Sequence, residues 1–325
     1  MSTQVLTRSP FAVKALKDGS VVIAIIFAIL YVLNVWQQPR SFSASAFTSL
    51  VNNATPLALA AAGLALVIIS RGFDLSLAGV VSLTNVVMAV YPLSGPGGAF
   101  VSLIICLSIG GAVGAVNGWL VAHLRLQAIA ATLATMIICQ GIALVILDAP
   151  GGMVSDWVSY ELTDRILGYV PVSGIVILIV LLSWAGFRRT DTGLAIYAVG
   201  QDEQASRLSG IPVRRARFVA FLLAGMLYGF AGYMLSAQTA TGSPTAGLPL
   251  LMLAFAAVAL GGTSFTGGKG SVLASIIGAF TLVLLQKVLF SSGVASFYTG
   301  IFQGAVLIFA VVFSRVLTNI GGKSV

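Results

Sequence analysis

The stretch TDTGLAIYAVGQDEQASRLSGIPVRRARF, residues 190–218, is the most hydrophilic segment of a chain that is otherwise strongly apolar. It carries four arginines and three acidic residues, Asp191, Asp202 and Glu203. An apolar run long enough to cross a membrane lies on each side of it. A polar, helix-prone segment between two such runs predicts a helical membrane protein with an ordered element outside the bilayer.

The composition of the whole chain supports the same fold class. Of its 325 residues, 58% are hydrophobic and 8% are charged, whereas about a quarter of the residues in an ordinary soluble domain are charged. A soluble fold could not hide so much apolar surface, so we expect an all-α polytopic membrane protein. The net charge of +8 does not indicate nucleic-acid binding, because the basic residues are not gathered with aromatic residues on one soluble face.

The apolar runs number about ten. A helix needs about 20 residues to cross the hydrocarbon core of a bilayer, and the first run has no cleavage signal, so we expect it to stay as a span. The third and eighth runs are short and could be tilted, broken or re-entrant. The predicted spans lie near residues 20–36, 46–70, 77–92, 99–121, 128–147, 169–186, 216–238, 247–262, 271–290 and 297–314.

The basic residues alternate with the spans as the positive-inside effect predicts. If the N-terminal segment, residues 1–19, is cytoplasmic, 14 Lys and Arg residues fall on the cytoplasmic side and three on the other side. Both termini and the 190–218 stretch are then cytoplasmic, and residues 1–325 form a single transmembrane domain. The three outer basic residues are Arg40, Arg165 and Lys287.

Within the polar stretch, the segment DEQASRL, residues 202–208, has the features of a short capped helix. Asp202 and Glu203 stand at its start, where the helix dipole stabilises acidic side chains, and Arg207 stands near its end. Gly210 follows as a stop signal. The apolar residues at helical spacing could face a partner protein or rest on the bilayer surface, so a docking helix and a linker stay open. These residues are Ala205, Leu208 and Ile211.

The segment TGLAIYAVGQDEQASRLSGI resembles the cytoplasmic coupling segment of permease subunits of the ribose-type ABC sugar importers. The pattern of that family is G-x-x-x-x-A-x-G-x-N-x-x-A-A-R-x-x-G-I, and this chain departs from it at Asp202 and Ser206. The residues that the resemblance and the capped helix assign to coupling are Gly193, Ala198, Gly200, Asp202, Glu203, Ala205, Arg207, Gly210 and Ile211.

Two further segments are similar to motifs of the same family. RGFDLSLAGVVSLTN, residues 71–85, resembles its G-[IF]-D-L-S-x-G signature, and ALGGTSFTGGKGSV, residues 259–272, matches its G-G-T-S-x-x-G-G-x-G-S segment. The overlapping segments 65–83 and 257–275 also echo each other weakly and could be corresponding positions of two halves. The second supplies the glycines predicted to pack closely against other backbone, namely Gly261, Gly262, Gly267, Gly268 and Gly270.

The resemblance implies a permease subunit of an ABC importer in the bacterial inner membrane, with a cytoplasmic coupling helix between spans six and seven. It implies three protein partners: a cytoplasmic ATPase subunit that receives the loop 187–215, a periplasmic sugar-binding protein and a second permease copy. ATP and magnesium belong on the ATPase, because this chain lacks the motif G-x-x-x-x-G-K-[ST]. The chain itself is expected to bind no cofactor and to have no enzymatic activity.

The solute is expected to be a monosaccharide or a similar polar molecule. Many members of the family carry acidic residues just before the second glycine motif, whereas residues 247–262 here carry no charge. The particular sugar therefore stays open, and permeases for nucleosides or branched-chain amino acids are alternatives. An ion-coupled carrier is a weaker alternative, because few charged residues lie within the spans.

Polar residues within the spans are candidates for the solute pathway or its gate. Asp74 lies beside Arg71, so an ion pair or a helix cap is expected, with a gate element as the alternative. For any other single residue, a hydrogen bond between helices is the more common role. No metal site is expected, since the chain has one histidine. The pathway candidates are Asn52, Asn53, Asp74, Asn85, Asn117, Gln140, Gln238 and Gln303.

Overall fold

The computed structural model describes residues 19–294 and, beyond them, positions 298, 300, 301, 304, 305 and 308. The described chain is mostly helical, with a 3-10 turn at Pro39–Phe42 and one hairpin of two strands, β1 (Arg165–Ile166) and β2 (Val170–Pro171). Its α-helices are α1 (Gly19–Gln37), α2 (Ala44–Ile69), α3 (Ser76–Val90), α4 (Gly95–Ala122), α5 (Ala128–Ile146), α6 (Asp156–Glu161), α7 (Val172–Phe187), α8 (Asp191–Gln201), α9 (Glu203–Leu208), α10 (Val213–Thr239), α11 (Gly247–Leu260) and α12 (Val272–Ser291).

Six of these helices are long and apolar enough to cross a membrane, namely α1, α2, α4, α5, α10 and α12. The bent pair of α7 and α8 makes a seventh if it counts as one span. The chain is therefore a multi-pass membrane protein. Helices α3 and α11, with 15 and 14 residues, correspond to the two short runs. At 1.5 Å per residue they reach only about 22 Å, so the count of ten spans stays a prediction. The tenth run, 297–314, lies almost wholly outside the described residues.

Helix α2 lies at the centre of the fold and is buried along most of its length. It is rich in alanine and leucine on all sides, which is the pattern of a helix surrounded by other helices. Helices α7, α8, α10, α11 and α12 all contact it. These five helices therefore cannot shift relative to one another without changing their contacts with α2.

Glycines join α4 and α10 along a close seam. A Cβ atom added to Gly110 would lie 2.0 Å from the carbonyl oxygen of Gly225, and one added to Gly229 would lie 2.1 Å from that of Cys106. Such distances leave no room for a side chain, and small residues are what allow membrane helices to approach closely. The two helices therefore contact each other backbone to backbone.

With the shorter helices α3, α7 and α11 included, successive helices of the bundle alternate in direction, so the connections collect at two ends of the molecule. We call one the basic end, formed by residues 70–75, 123–127, 188–212 and 261–271, and the other the hairpin end, formed by residues 38–43, 91–94, 147–171 and 240–246. The hairpin end carries four acidic residues, Asp148, Asp156, Glu161 and Asp164. The Lys and Arg residues in or beside the basic end are Arg71, Arg125, Arg188, Arg189, Arg207, Arg214, Arg215, Arg217 and Lys269.

Candidate functional site

The polar stretch at the basic end forms two helices, where the sequence predicted one. Helix α8 follows α7 after a short break, and the two helices are bent by 80° relative to each other. Thr190 caps α8, because its hydroxyl accepts a hydrogen bond from the Gly193 backbone N–H at 3.2 Å. Thr190 followed by Asp191 is an ordinary helix-start signal. That signal could have revealed α8, but small and apolar residues in TGLAIYAVG obscured it.

One face of α8 is buried against the ends of two long helices. Ile196 and Val199 of α8 pack with Ile69, the last residue of α2, and with Ala216 and Ala220 in the first turns of α10. This small apolar cluster is separate from the main core. It attaches α8 to both helices, so the segment is anchored rather than a loose linker.

Gly200 forms the tightest contact at this end. A Cβ atom there would lie 1.8 Å from the carbonyl oxygen of Ile69 and 2.4 Å from the backbone nitrogen of Gly268. The Gly268 N–H donates a hydrogen bond to the same Ile69 oxygen at 2.9 Å, which satisfies a carbonyl left unpaired at a helix end. We call Ile69, Gly200 and Gly268 the junction. It brings the coupling segment and the glycine segment 259–272 together at the end of α2.

The glycine loop 261–271 owes its path to backbone conformations that favour glycine. Gly267 and Gly268 have φ of +87° and +71°, values at which a side chain is strained. A Cβ atom on Gly267 would also lie 2.6 Å from Cγ of Arg71. Gly262 and Gly270 have positive φ as well, and a Cβ atom on Gly261 would lie 2.7 Å from Ala274. At these glycines the loop contacts its neighbours through its backbone.

The two segments that echo each other in the sequence are in contact. Phe73, in the turn after α2, stacks with Phe255 at 6.4 Å and with Phe265 at 6.2 Å between ring centroids. Arg71 in the same turn has a φ of +69°. Each segment connects two helices at the basic end, and together with α8 they form one contiguous surface.

Helix α9 carries the charged part of the polar stretch. The Asp202 side chain accepts a hydrogen bond from the Ala205 N–H at 2.9 Å and so caps the helix, as predicted. Glu203 forms ion pairs with Arg207 and with Arg217 at the start of α10. Burial would raise the pKa of the Glu203 carboxyl, but the two arginines outweigh it and lower that pKa below its usual value.

The predicted coupling residues differ in exposure. Gly193 and Gly200 are buried, while Ala198, Glu203 and Ile211 are half-buried. Ile211 packs against the cluster beneath α8 and does not join an exposed apolar face. Leu208 is 84% exposed. The exposed coupling residues are Asp202, Ala205, Arg207 and Gly210.

An open cleft of about 670 Å³ lies beside α9. Four arginines and one histidine give it a strongly basic lining, and a stretch of α10 forms one wall. The basic cleft and the exposed side chain of Leu208 are both open to solvent near the junction. The lining residues are His123, Arg125, Arg207, Pro212, Val213, Arg214, Arg215 and Phe218.

Asp74 is fully buried and caps the start of α3. One of its carboxylate oxygens accepts hydrogen bonds from the Ser76 N–H at 2.9 Å and the Ser76 hydroxyl at 2.6 Å. In the described part of the chain Asp74 has no ion pair with Arg71, so of the two structural roles expected for it the helix cap is the one present, and a role as a gate element stays a prediction. Asn117 donates to the Ser76 hydroxyl at 3.0 Å and accepts from Thr135 at 2.9 Å. The network joins α3, α4 and α5.

Asn85 connects α3 to the loop between α10 and α11 at the hairpin end. Its amide donates to Ser236 Oγ at 2.9 Å and to the Thr241 carbonyl at 3.2 Å, and its oxygen accepts from the Ser243 N–H at 2.7 Å. The side chain is buried and its contacts are all within the protein. Asn85 and Asn117 therefore have the interhelical role that is common for polar residues in spans.

Three other pathway candidates come together in a pocket at the hairpin end, which we call the polar pocket. Its volume is about 320 Å³. Gln238 donates a hydrogen bond to Asn53, and Asn52 donates to the Thr163 carbonyl at 2.7 Å. The lining residues are Ser45, Thr48, Ser49, Asn52, Asn53, Thr163, Asp164, Arg165 and Gln238.

The sequence did not single out the residues that the hairpin contributes to this pocket. Arg165 was noted only as an outer basic residue, Asp164 was not singled out, and their distance from Asn53 along the chain hid the contact. Of the remaining candidates, Gln140 is half-buried in α5, and Gln303 lies outside the described residues. No group of three or more His, Cys, Asp or Glu that could hold a metal occurs among the residues the structure describes.

The chain matches the family model described as branched-chain amino acid transport system / permease component over residues 46–311. It is 33% identical to the ribose import permease protein of Escherichia coli K12 over 255 residues, 76% of this chain and 78% of that protein. It is 31% identical to the fructose import permease protein of Bifidobacterium longum over 223 residues, 67% of this chain and 62% of that protein. No solved structure matches the chain significantly.

A third relative is the D-allose transport system permease protein of Escherichia coli K12, which is 35% identical over 184 residues, 56% of each chain. The family match includes all three motifs that meet or lie beside the junction. The curated relatives are permease subunits of importers. The chain belongs to this family of ABC-transporter membrane permeases.

Proposed function

We propose that this chain is the membrane-spanning permease subunit of an ABC importer for a monosaccharide or a similar polar solute, located in the bacterial inner membrane. Three relatives that import ribose, fructose and D-allose support this assignment. The family description also names branched-chain amino acids. A sugar is favoured because three relatives are named for ribose, fructose and D-allose and because every residue that lines the polar pocket is polar.

The junction is the observation that carries the coupling role. The loop 187–215 contains α8 and α9, and its close contact at Gly200 joins it to the end of the central helix α2. A cytoplasmic ATPase subunit that docks on α9 could move α8 and thereby α2. The exposed Leu208 and Arg207 would contact that subunit, which would bind ATP and magnesium itself.

The charge distribution supports an orientation. We place the basic end in the cytoplasm, together with residues 1–19 and both termini, because cytoplasmic connections are enriched in Lys and Arg. The hairpin end would then receive a periplasmic binding protein that delivers the solute. Ten spans in a single domain, residues 1–325, and a second permease copy beside this one complete the proposal.

Reconstitution tests the assignment. The full chain is co-purified with the ATPase subunit and the binding protein, and ATP hydrolysis and uptake into proteoliposomes are measured with a panel of sugars, a nucleoside and leucine. ATP-dependent uptake of a sugar supports the proposal. Uptake of leucine or a nucleoside alone would reassign the solute, and uptake driven by an ion gradient without ATP would replace the importer assignment.

A further inference from the structure

The polar pocket is unusual for this chain because every residue that lines it is polar. All nine lining residues carry a hydroxyl, an amide, a carboxylate or a guanidinium, in a protein that is 58% hydrophobic. Its volume of about 320 Å³ lies at the small end of the range of known ligand sites, roughly 300–1,000 Å³. A molecule the size of one sugar ring fits such a volume.

Asn52 fixes the wall of the pocket. Its amide nitrogen donates to the Thr163 carbonyl at 2.7 Å, and its oxygen accepts a hydrogen bond from Ser173. These two contacts connect α2 to both sides of the hairpin. The hairpin is thereby held where the residues after Thr163, Asp164 and Arg165, border the pocket.

The other side chains keep hydrogen-bonding capacity for a ligand. Gln238 donates its amide N–H to the Asn53 oxygen, which leaves the Gln238 oxygen available, and the Asn53 amide nitrogen has only a long contact of 3.5 Å to Ser49 Oγ. Within the described residues neither Asp164 nor Arg165 forms a salt bridge or a side-chain hydrogen bond. The pocket therefore offers both donors and acceptors, which is what a ring of hydroxyl groups requires, since each hydroxyl both donates and accepts.

The charges in the pocket do not favour a solute that carries a net charge. One carboxylate and one guanidinium give no net charge, so neither an anion nor a cation is favoured. A branched-chain amino acid could pair its ends with Asp164 and Arg165, but no apolar residue lines the pocket to cover its side chain. If the chain is the importer permease proposed above, on which this inference depends, we propose that the polar pocket is the permease's own recognition site for an uncharged polyhydroxyl solute.

Cysteine labelling tests the pocket without any partner. Both native cysteines, Cys106 and Cys139, are buried, so Ser49→Cys introduces one accessible thiol into the full chain. The rate of its reaction with a membrane-impermeant thiol reagent is measured with D-ribose, D-fructose, D-allose or leucine. At a sugar concentration ten times its Kd, labelling should slow about tenfold by mass action. Ser94→Cys, at an exposed serine of the same end outside the pocket, should be unaffected.

Each result of the labelling has a defined meaning. Protection by a sugar and not by leucine supports the inference. Protection by leucine alone overturns the polyhydroxyl class. An unreactive thiol in the Ser49→Cys variant, or no protection by any probe, overturns the site itself.

Transport by Gln238→Ala in the reconstituted importer separates failure of the pocket from failure of the proposed function. We expect uptake at subsaturating sugar to fall about threefold to tenfold, as for the loss of one hydrogen bond, while ATP hydrolysis stimulated by the loaded binding protein stays at the wild-type level. Wild-type uptake in the variant would contradict the pocket and leave the importer assignment intact. Absence of ATP-driven uptake in the wild-type complex would contradict the importer assignment instead.

Discussion

The basic end and the hairpin end are held together in different ways. At the basic end, the junction is a contact of backbone with backbone, at distances that leave no space for a methyl group on Gly200. At the hairpin end, Asn52, Asn85 and Gln238 make contacts through flexible side chains. A displacement of one backbone segment is passed directly to another segment in close contact with it, whereas side-chain hydrogen bonds can be exchanged for bonds to a solute. The difference fits the proposed roles of the two ends, which are coupling to the ATPase subunit at the basic end and recognition of the solute at the hairpin end.

Gly200→Ala should reduce transport more than any other change described here. A small effect would contradict the idea that the basic end depends on close backbone contact. The new methyl group would lie 1.8 Å from the Ile69 oxygen, so α8 must move away from α2. We expect ATP-driven uptake to fall by about tenfold or more, with a loss of stability on the order of 1–3 kcal/mol. Gly186→Ala in α7 is the matched control, because nothing lies within 4 Å of its added Cβ atom. Equal uptake by the two variants would contradict the role of the junction.

A comparison of Tm between Gly268→Ala and Gly210→Ala distinguishes the cost of a steric clash from the cost of backbone strain. Both glycines have similar φ, +71° and +76°, and a side chain in this region costs about 1–2 kcal/mol. Only at Gly268 would the methyl group also meet another backbone, 2.5 Å from the Gln201 nitrogen. We therefore expect Gly268→Ala to lower Tm clearly more than Gly210→Ala in the same detergent. Equal shifts would mean that strain alone explains the loop.

Asn85→Ala measures the strength of the hairpin end. The change removes three hydrogen bonds, including those to the buried Ser236 hydroxyl and to the N–H of the half-buried Ser243. We expect a loss of about 1–3 kcal/mol in unfolding free energy and faster hydrogen exchange in residues 240–246. Gln140→Ala is the control, because Gln140 is half-buried in a helix but takes part in no hydrogen bond in the described chain. Unchanged exchange in that loop would show that Asn85 does not hold it.

Glu203→Gln should have the smallest effect and depend on pH. The arginines lower the pKa of Glu203 below its ordinary value of 4.5. The ion pairs therefore stabilise the folded state above pH 4.5 and lose this effect as the pH falls through the folded-state pKa. Wild type should have a slightly higher Tm than Glu203→Gln near neutral pH, and the difference should shrink in acid and in high salt. A difference that grows in acid would contradict the lowered pKa.

The parts that the sequence predicted are those with local signals. Nine of the predicted apolar runs correspond to helices, because composition alone marks a helix in lipid. The helix at 203–208 was predicted from its cap at Asp202 and is present. Helix α8 was missed because its small and apolar residues carry no clear periodicity beside the stronger signal of α9.

The contacts between distant segments could not be predicted. The junction joins residues 69, 200 and 268, and the polar pocket joins residues 45–53, 163–165 and 238. No local pattern encodes such pairings. The polar residues selected in the spans include three that line the pocket, Asn52, Asn53 and Gln238, but the same criterion also selected Asn85 and Asn117, whose bonds are internal. Composition identifies a polar residue in a span and not whether it faces a neighbour or a cavity.

The close glycine contacts between α4 and α10 mean that these two helices should move together as one rigid pair. Helix α10 begins beside the basic cleft at Val213 and has Gln238 of the polar pocket in its last turn. Its 27 residues span about 40 Å at 1.5 Å each. Pivoted at the basic end, a tilt of about 5° would displace Gln238 by roughly 3–4 Å over that length. A displacement of that size would be enough to make or break the hydrogen bond between Gln238 and Asn53.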